Sequence, residues 1–129
     1  MDGVEVRESP IHGKGVFATR DFSKGEVVIK WDTTVKLDRS KLSKIHEDYK
    51  KYAPLIDGEH ILLLMSPEAY INHSCKPNTK IENYCEVAVR DIKEGEEITG
   101  DYSKERLPDL DMACNCRSSN CRKIIRTGE

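Results

Sequence analysis

Near the C-terminus the run "CNCRSSNC" packs Cys114, Cys116 and Cys121 into eight residues, and no other feature restricts the fold as strongly. Thiols this close in sequence are suited to sharing one cation. Structural zinc takes four Cys or His ligands in a closed tetrahedron, so a fourth ligand must return to this tail from elsewhere. The candidates are Cys75, Cys85 and the four histidines, His12, His46, His60 and His73. Cys85 lies in the strand-like "NYCEVAV", where a small buried thiol is the simpler role. Cys75 lies in a loop, where a thiolate can turn toward a metal, and spacing weighs it evenly against all the others. Five cysteines without a secretory signal pattern argue against a disulfide framework.

The rest of the composition narrows the class. At 129 residues the chain suits one domain that buries roughly two-thirds of its unfolded surface. Apolar residues make up 37% and charged residues 34%, with a formal net charge of −2. That charge argues against the basic footprint of a nucleic-acid binder. The longest apolar run, "ILLLM" at 61–65, is far too short to span a bilayer. The expectation is a soluble intracellular protein, monomeric or weakly dimeric, with no membrane and no direct nucleic-acid partner.

β-Branched and aromatic residues flank glycine corners in "GVFATR", "DFSKGE" and "VVIKW", which predicts strands joined as a hairpin. "RDFSKGEVV" at 20–28 matches "RDIKEGEEI" at 90–98 in grammar, which we read as reused turn chemistry and not a duplicated domain. Ser40 is the expected N-cap of a helix carrying Leu42, Ile45, Tyr49 and Tyr52 up to Pro54. Ser66, Pro67 and Glu68 suggest a cap and first turn for a short helix leading into "YINHSCKPN". Short strands and few helices predict a β-rich α+β domain.

"YINHSCKPN" sets Asn72, His73, Ser74 and Cys75 side by side. A Cys–His nucleophile built from His73 and Cys75 would drive acyl transfer, but sequence neighbours point in different directions and such pairs meet across a fold. "HGKGV" at 12–16 offers glycines that let the main chain approach a ligand, and it matches neither the dinucleotide nor the P-loop pattern. "EEITGDY" ends a strand at Asp101 and Tyr102.

In order along the chain, "GKGVFATRDFSKGEVV", "YINHSCKPN", "VAVRDIKEGEEITGDY" and "CNCRSSNCR" resemble the SET-domain family of protein lysine methyltransferases, the last piece resembling its zinc-binding post-SET tail. The resemblance implies a mostly β fold of short curved sheets, a β-clip whose C-terminal segment threads a pseudoknot, with few short helices. It divides the chain into residues 1–110 and a tail of 111–129 packed on them. It implies S-adenosylmethionine as methyl donor, Zn2+ as structural metal, and a lysine-bearing basic protein such as a histone as substrate. The compartment would be the nucleus in a eukaryote or the cytoplasm in a prokaryote. By position, Lys14, Gly15 and Val16 match the loop holding the methionine end of the cofactor. Tyr70, Asn72, His73 and Asn115 match further cofactor-contacting positions. Tyr102 matches the active-site tyrosine, which also borders the cofactor, and Cys75 joins Cys114, Cys116 and Cys121 as the zinc set.

Four departures qualify the match. Gly100 stands where the family commonly has Phe or Tyr, Ala69 where it commonly has Arg, Asn115 where an apolar residue often covers the adenine, and Lys123 where Gly often follows Cys-Arg. Ile124 and Ile125 are candidate substitutes for the lost apolar cover, and Arg117, Arg122 and Lys123 for balancing a four-thiolate zinc. Eight acids against three bases from Asp91 to Asp111 would attract a basic peptide, or form an ordinary solvated face. A catalytically silent peptide-binding module is the alternative to an enzyme.

Overall fold

Short runs of Val, Ile and Thr bounded by Gly and Asp corners produce short strands, none longer than five residues among the described residues. The protein, described from a computed structural model, is defined at all residues except 1, 2, 12, 46–52, 58, 65, 105–110, 115, 117 and 127–129. Its strands are β1 (Val4–Glu8), β2 (Lys14–Ala18), β3 (Val27–Lys30), β4 (Lys36–Asp38), β5 (His60–Leu62), β6 (Asn72–His73), β7 (Thr79–Glu82), β8 (Cys85–Ala88), β9 (Glu97–Gly100), β10 (Asp111–Ala113) and β11 (Ile124–Arg126). They form small sheets ordered β1-β2-β9-β6, β3-β8-β7, β4-β5 and β10-β11. The architecture is mostly β, as predicted, and among the described residues no helix is long and apolar enough to cross a membrane.

The expected hairpin does not form. β2 pairs with β1 and β9, whereas β3 pairs with β8. The two matching turns explain why, because they dock on each other and leave their flanking strands in different sheets. Phe22 and Ile92 exchange both main-chain hydrogen bonds at 2.8 Å. Asp21 accepts from the Glu94 N–H and Asp91 from the Lys24 N–H, each at 2.9 Å. Within the turns, Arg20 pairs with Glu26 and Arg90 with Glu96, while Gly25 and Gly95 sit at φ of 89° and 92°, where a side chain would be strained. The repeat is one turn used twice, face to face.

The helix expected from Ser40 is a 3-10 turn over Arg39–Lys44, capped by Asp38, whose carboxylate accepts the Ser40 N–H at 2.8 Å. Tyr49 and Tyr52 lie outside the described residues. A second 3-10 turn, Glu68–Tyr70, has no side-chain cap from Ser66. Glu68 turns inward instead and is buried. Burial pushes its carboxyl above the ordinary value of 4.5, against the Asp32 N–H that donates to it. A raised carboxyl contributes stability only below its unfolded pKa and loses it as pH rises through the folded one. Glu68→Gln should therefore raise the melting temperature by about 2–4 °C at pH 8 and leave it unchanged below pH 4.5. An equal gain at both pH values would mean that ionisation is not the cause.

The core gathers Val16 and Ile98 from β2 and β9, Ile29 and Trp31 from β3 and its exit, and Leu62, Leu64, Ile71 and Ile92. Ile125 of the tail is fully buried in the same cluster, while Ile124 is 45% exposed. The tail thus contributes to the core that holds the site.

Candidate active site and metal centre

The site forms where β9 runs between β2 and β6. β6 is parallel to β9, pairing Asn72 with Thr99 and His73 with Gly100, and the Ser74 N–H continues the ladder to the Gly100 carbonyl at 2.9 Å. This register delivers Tyr102 directly beside His73. The Tyr102 N–H donates to His73 Nδ1 at 3.0 Å, the two rings meet edge to face at 5.5 Å, and the buried phenol donates to the Ile71 carbonyl.

Those bonds determine the state of the imidazole. Because Nδ1 accepts a hydrogen bond from the Tyr102 main-chain N–H, the neutral ring carries its own proton on Nε2, which faces Cys75 Sγ at 3.4 Å. Burial, opposed by Asp101 and reinforced by Arg122, lowers its pKa to about 4. The approach of Nδ1 to Asp101 at 3.8 Å is therefore not an ion pair at neutral pH. The His73 and Cys75 side chains do meet, against the expectation that such sequence neighbours diverge, but the ring turns its Nε2–H and not a lone pair toward the sulfur, so His73 is not the activated base of a Cys–His pair.

The proposed cofactor positions converge at the other end of β6. Asn72 Nδ2 donates to the Lys14 carbonyl at 3.0 Å and to Glu97 Oε2 at 2.9 Å, tying β2, β6 and β9 together. Ser9 Oγ also donates to Glu97. A Cβ on Gly15 would come within 2.3 Å of Glu97 Oε2, so this glycine makes room for a protein carboxylate. Val16 points into the core opposite Ile98 and can offer a ligand only its main chain. Lys14 is exposed, with its ammonium 5.7 Å from the centroid of the half-buried Tyr70 ring. Asn115 lies outside the described residues.

The cysteines meet as the tail pattern implied. The sulfurs of Cys75, Cys114, Cys116 and Cys121 all lie within 4.8 Å of one another, and Cys75 and Cys114 are 3.9 Å apart. Zn–S bonds of about 2.3 Å in a tetrahedron require sulfur edges of about 3.8 Å, so this donor set fits zinc with little adjustment. Burial pushes the Cys114 thiol up. Burial also opposes ionisation of Cys116, but hydrogen bonds from Ser118 Oγ and the Cys75 N–H outweigh it and bring that thiol to about 6. One ligand is thus ready as thiolate near neutral pH, which lowers the proton-release cost of metal binding.

The other candidate ligands fall elsewhere. Cys85 is half-exposed beside the Asn83 carbonyl rather than buried, and His60 pairs with Asp57. His12 and His46 lie outside the described residues. Of the acids in the 91–111 segment, Asp91, Glu96, Glu97 and Asp101 are engaged in contacts within the protein. Glu105 and Asp109 lie outside the described residues.

Two participants escaped sequence reasoning. Glu97 gave no signal, since one acid in "EGEEI" resembles another. Arg122 stood out only as countercharge, yet its Nε and its main-chain N–H both donate to Cys75 Sγ, at 3.4 and 3.2 Å. Its Nη groups reach Ser103 Oγ at 3.0 Å and Asp101 at 2.9 Å.

Comparison with known proteins agrees with this geometry. The SET domain family profile matches residues 13–103. Human "Histone-lysine N-methyltransferase 2D" is 32% identical over 138 residues, covering 95% of this chain and 2% of its own. The trithorax histone-lysine N-methyltransferase of Drosophila virilis is 34% identical over 141 residues, covering 96% of this chain and 4% of its own. A Plasmodium falciparum variant-silencing SET domain-containing protein is 28% identical over 149 residues, covering 98% and 6%. The chain thus spans only a small part of the length of these relatives. With a family profile matched over most of its residues and the tyrosine, Asn-His and cysteine groups brought together, the chain belongs to the SET domain family.

Proposed function

We propose that the protein is an S-adenosylmethionine-dependent protein-lysine N-methyltransferase acting on a basic protein such as a histone, with Tyr102 as its catalytic residue and a zinc-clamped tail. The observation that carries this reading is Tyr102, buried and held at both ends, its N–H on His73 and its hydroxyl on the Ile71 carbonyl.

S-adenosylmethionine supplies a methyl group on a positively charged sulfonium. Lys14, Gly15, Val16, Tyr70, Asn72, His73, Tyr102 and Asn115 would hold it. The Lys14 ammonium suits a carboxylate, and the face of Tyr70 suits a cation. Lysine attacks as the neutral amine, since an ammonium has no lone pair. Transfer to that lone pair would leave the C–S electron pair on sulfur, and the proton in excess would leave nitrogen for water. Free lysine has a pKa near 10.4. A dry channel and an adjacent positive charge both depress it, so no general base is required. Tyr102 orients the amine, its phenolic proton committed to Ile71 and its oxygen lone pairs turned to the developing charge.

Zn2+ held by Cys75, Cys114, Cys116 and Cys121 supplies a structural clamp and no chemistry at the reacting atoms. A clamp there would fix the 111–129 tail against the 1–110 body, offsetting chain entropy that a polar tail would otherwise retain.

Gly100 favours the silent-module alternative, because it leaves the position beside His73 without the usual aromatic. Ala69 does not, since it is fully buried and belongs to the packing. Purified protein should transfer radiolabelled methyl from S-adenosylmethionine to lysines of core histones or another basic protein, mapped by mass spectrometry. No transfer, together with no thermal shift on adding the cofactor, would end the enzyme reading.

A further inference from the structure

We propose that Arg122 is a positioning residue that couples metal occupancy of the cysteine cluster to the placement of Tyr102. This rests on the methyltransferase reading above for its catalytic consequence, though not for the coupling itself.

Arg122 directly follows Cys121, so a metal that holds Cys121 also holds the Arg122 main chain. The main-chain N–H and Nε reach one sulfur, that of Cys75, at 3.2 and 3.4 Å. From the far edge of the same guanidinium, Nη1 reaches Ser103 Oγ at 3.0 Å and Nη2 reaches Asp101 Oδ1 at 2.9 Å. Asp101 and Ser103 flank Tyr102. They are bound to each other as well, since the Ser103 hydroxyl and N–H donate to Asp101 Oδ1 at 2.7 and 3.1 Å. One planar group therefore spans the distance from a metal-ligand sulfur to both neighbours of the tyrosine.

Planarity makes the span rigid. A guanidinium presents its donors in a fixed fork, so moving the sulfur edge moves the Asp101 edge with it. A lysine has the charge without the fork. The bond to sulfur also depends on what the sulfur is. Four thiolates around a divalent zinc leave a formal charge of −2, which the guanidinium beside Cys75 Sγ would meet with a charge-assisted hydrogen bond. Loss of the metal would free Cys75 and Cys121 from a common centre and so slacken the sulfur end of the span. His73 provides a second route, with Nε2 on the Cys75 sulfur and Nδ1 under the Tyr102 N–H. Lys123, the neighbouring cation, is exposed.

The test uses the zinc-loaded protein and the variants Arg122→Gln, Arg122→Lys and Lys123→Gln. Arg122→Gln should keep one zinc per chain but release it to a chelator about tenfold faster. Its kcat should fall about 10- to 30-fold, with KM for S-adenosylmethionine within about twofold of wild type. Arg122→Lys should recover zinc retention without recovering kcat, and Lys123→Gln should match wild type in both. In 15N-labelled holo protein, the Tyr102 and Ser103 amide resonances should shift in both Arg122 variants and stay in place in Lys123→Gln. The coupling is overturned if the Arg122→Gln protein keeps wild-type amide positions and zinc release. It is equally overturned if Arg122→Lys restores kcat fully, since charge alone would then suffice. Should wild-type protein transfer no methyl, the enzyme reading fails, while zinc release and the amide shifts still decide the coupling.

Discussion

Replacing Tyr102 by Phe should remove about 100-fold or more of the methyl-transfer rate while leaving zinc content and cofactor binding close to wild type. The magnitude is that of losing one positioned electrostatic group at the reacting centre. The ring is anchored by the core and by the His73 edge contact, so Phe keeps its place and only the oxygen is lost. The Ile71 carbonyl loses a buried partner, which costs about 1–3 kcal/mol of stability and should appear as a measurable fall in melting temperature. Single-turnover rates at saturating cofactor separate the catalytic effect from the structural one. A Phe variant within about fivefold of wild type would remove Tyr102 from the chemistry.

Cys75→Ser should produce the other large loss. Purified wild-type protein should carry one zinc per chain, and the variant should bind it at least about 100-fold more weakly, melt about 10 °C or more lower and show background activity. The reason is the reach of Cys75. The other three cysteines of the cluster lie on the tail, and Cys75 joins them to the loop that carries Asn72 and His73. Its carbonyl accepts from Asn120 and its sulfur from Arg122, so the substitution disturbs several contacts between body and tail at once. Chelation of wild-type protein should mimic the variant, and added zinc should rescue only the wild type. Retention of full zinc by Cys75→Ser, or its loss in Cys85→Ser, would show that the ligand set is wrong.

How much of this was legible depended on the range over which each feature is determined. The tail cysteines announce a metal because three ligands are local, but choosing Cys75 over Cys85 needed either the family resemblance or the fold. The twin turns were readable because Gly at positive φ and the Arg–Glu brace are local chemistry. Their mutual docking was not, since it joins Phe22 to Ile92 across the chain, and the expected hairpin failed for that reason. Ser40 and Asp38 are both good caps, and only the main-chain path selects Asp38. Glu97 and Arg122 are charged residues among many in a chain that is 34% charged. Their roles arise when β9 and the tail bring Ser9, Asn72, Cys75 and Asp101 within reach.

The insertion of β9 between β2 and β6 carries a consequence for biogenesis. Its partners begin at Lys14 on one side and Asn72 on the other, so the strand closes contacts spanning most of the chain. Such closures pay their loop entropy before any reward and come late and slowly. A ribosome releases the N-terminal segments first. A partly synthesised chain lacking residues beyond about 96 would therefore expose the seam where β9 belongs, with Val16 and Ile71 uncovered and vulnerable to wrong pairing. The proposed methyl transfer would therefore require β9 and the tail to be in place, since β9 pairs with both β2 and β6 and leads into Tyr102.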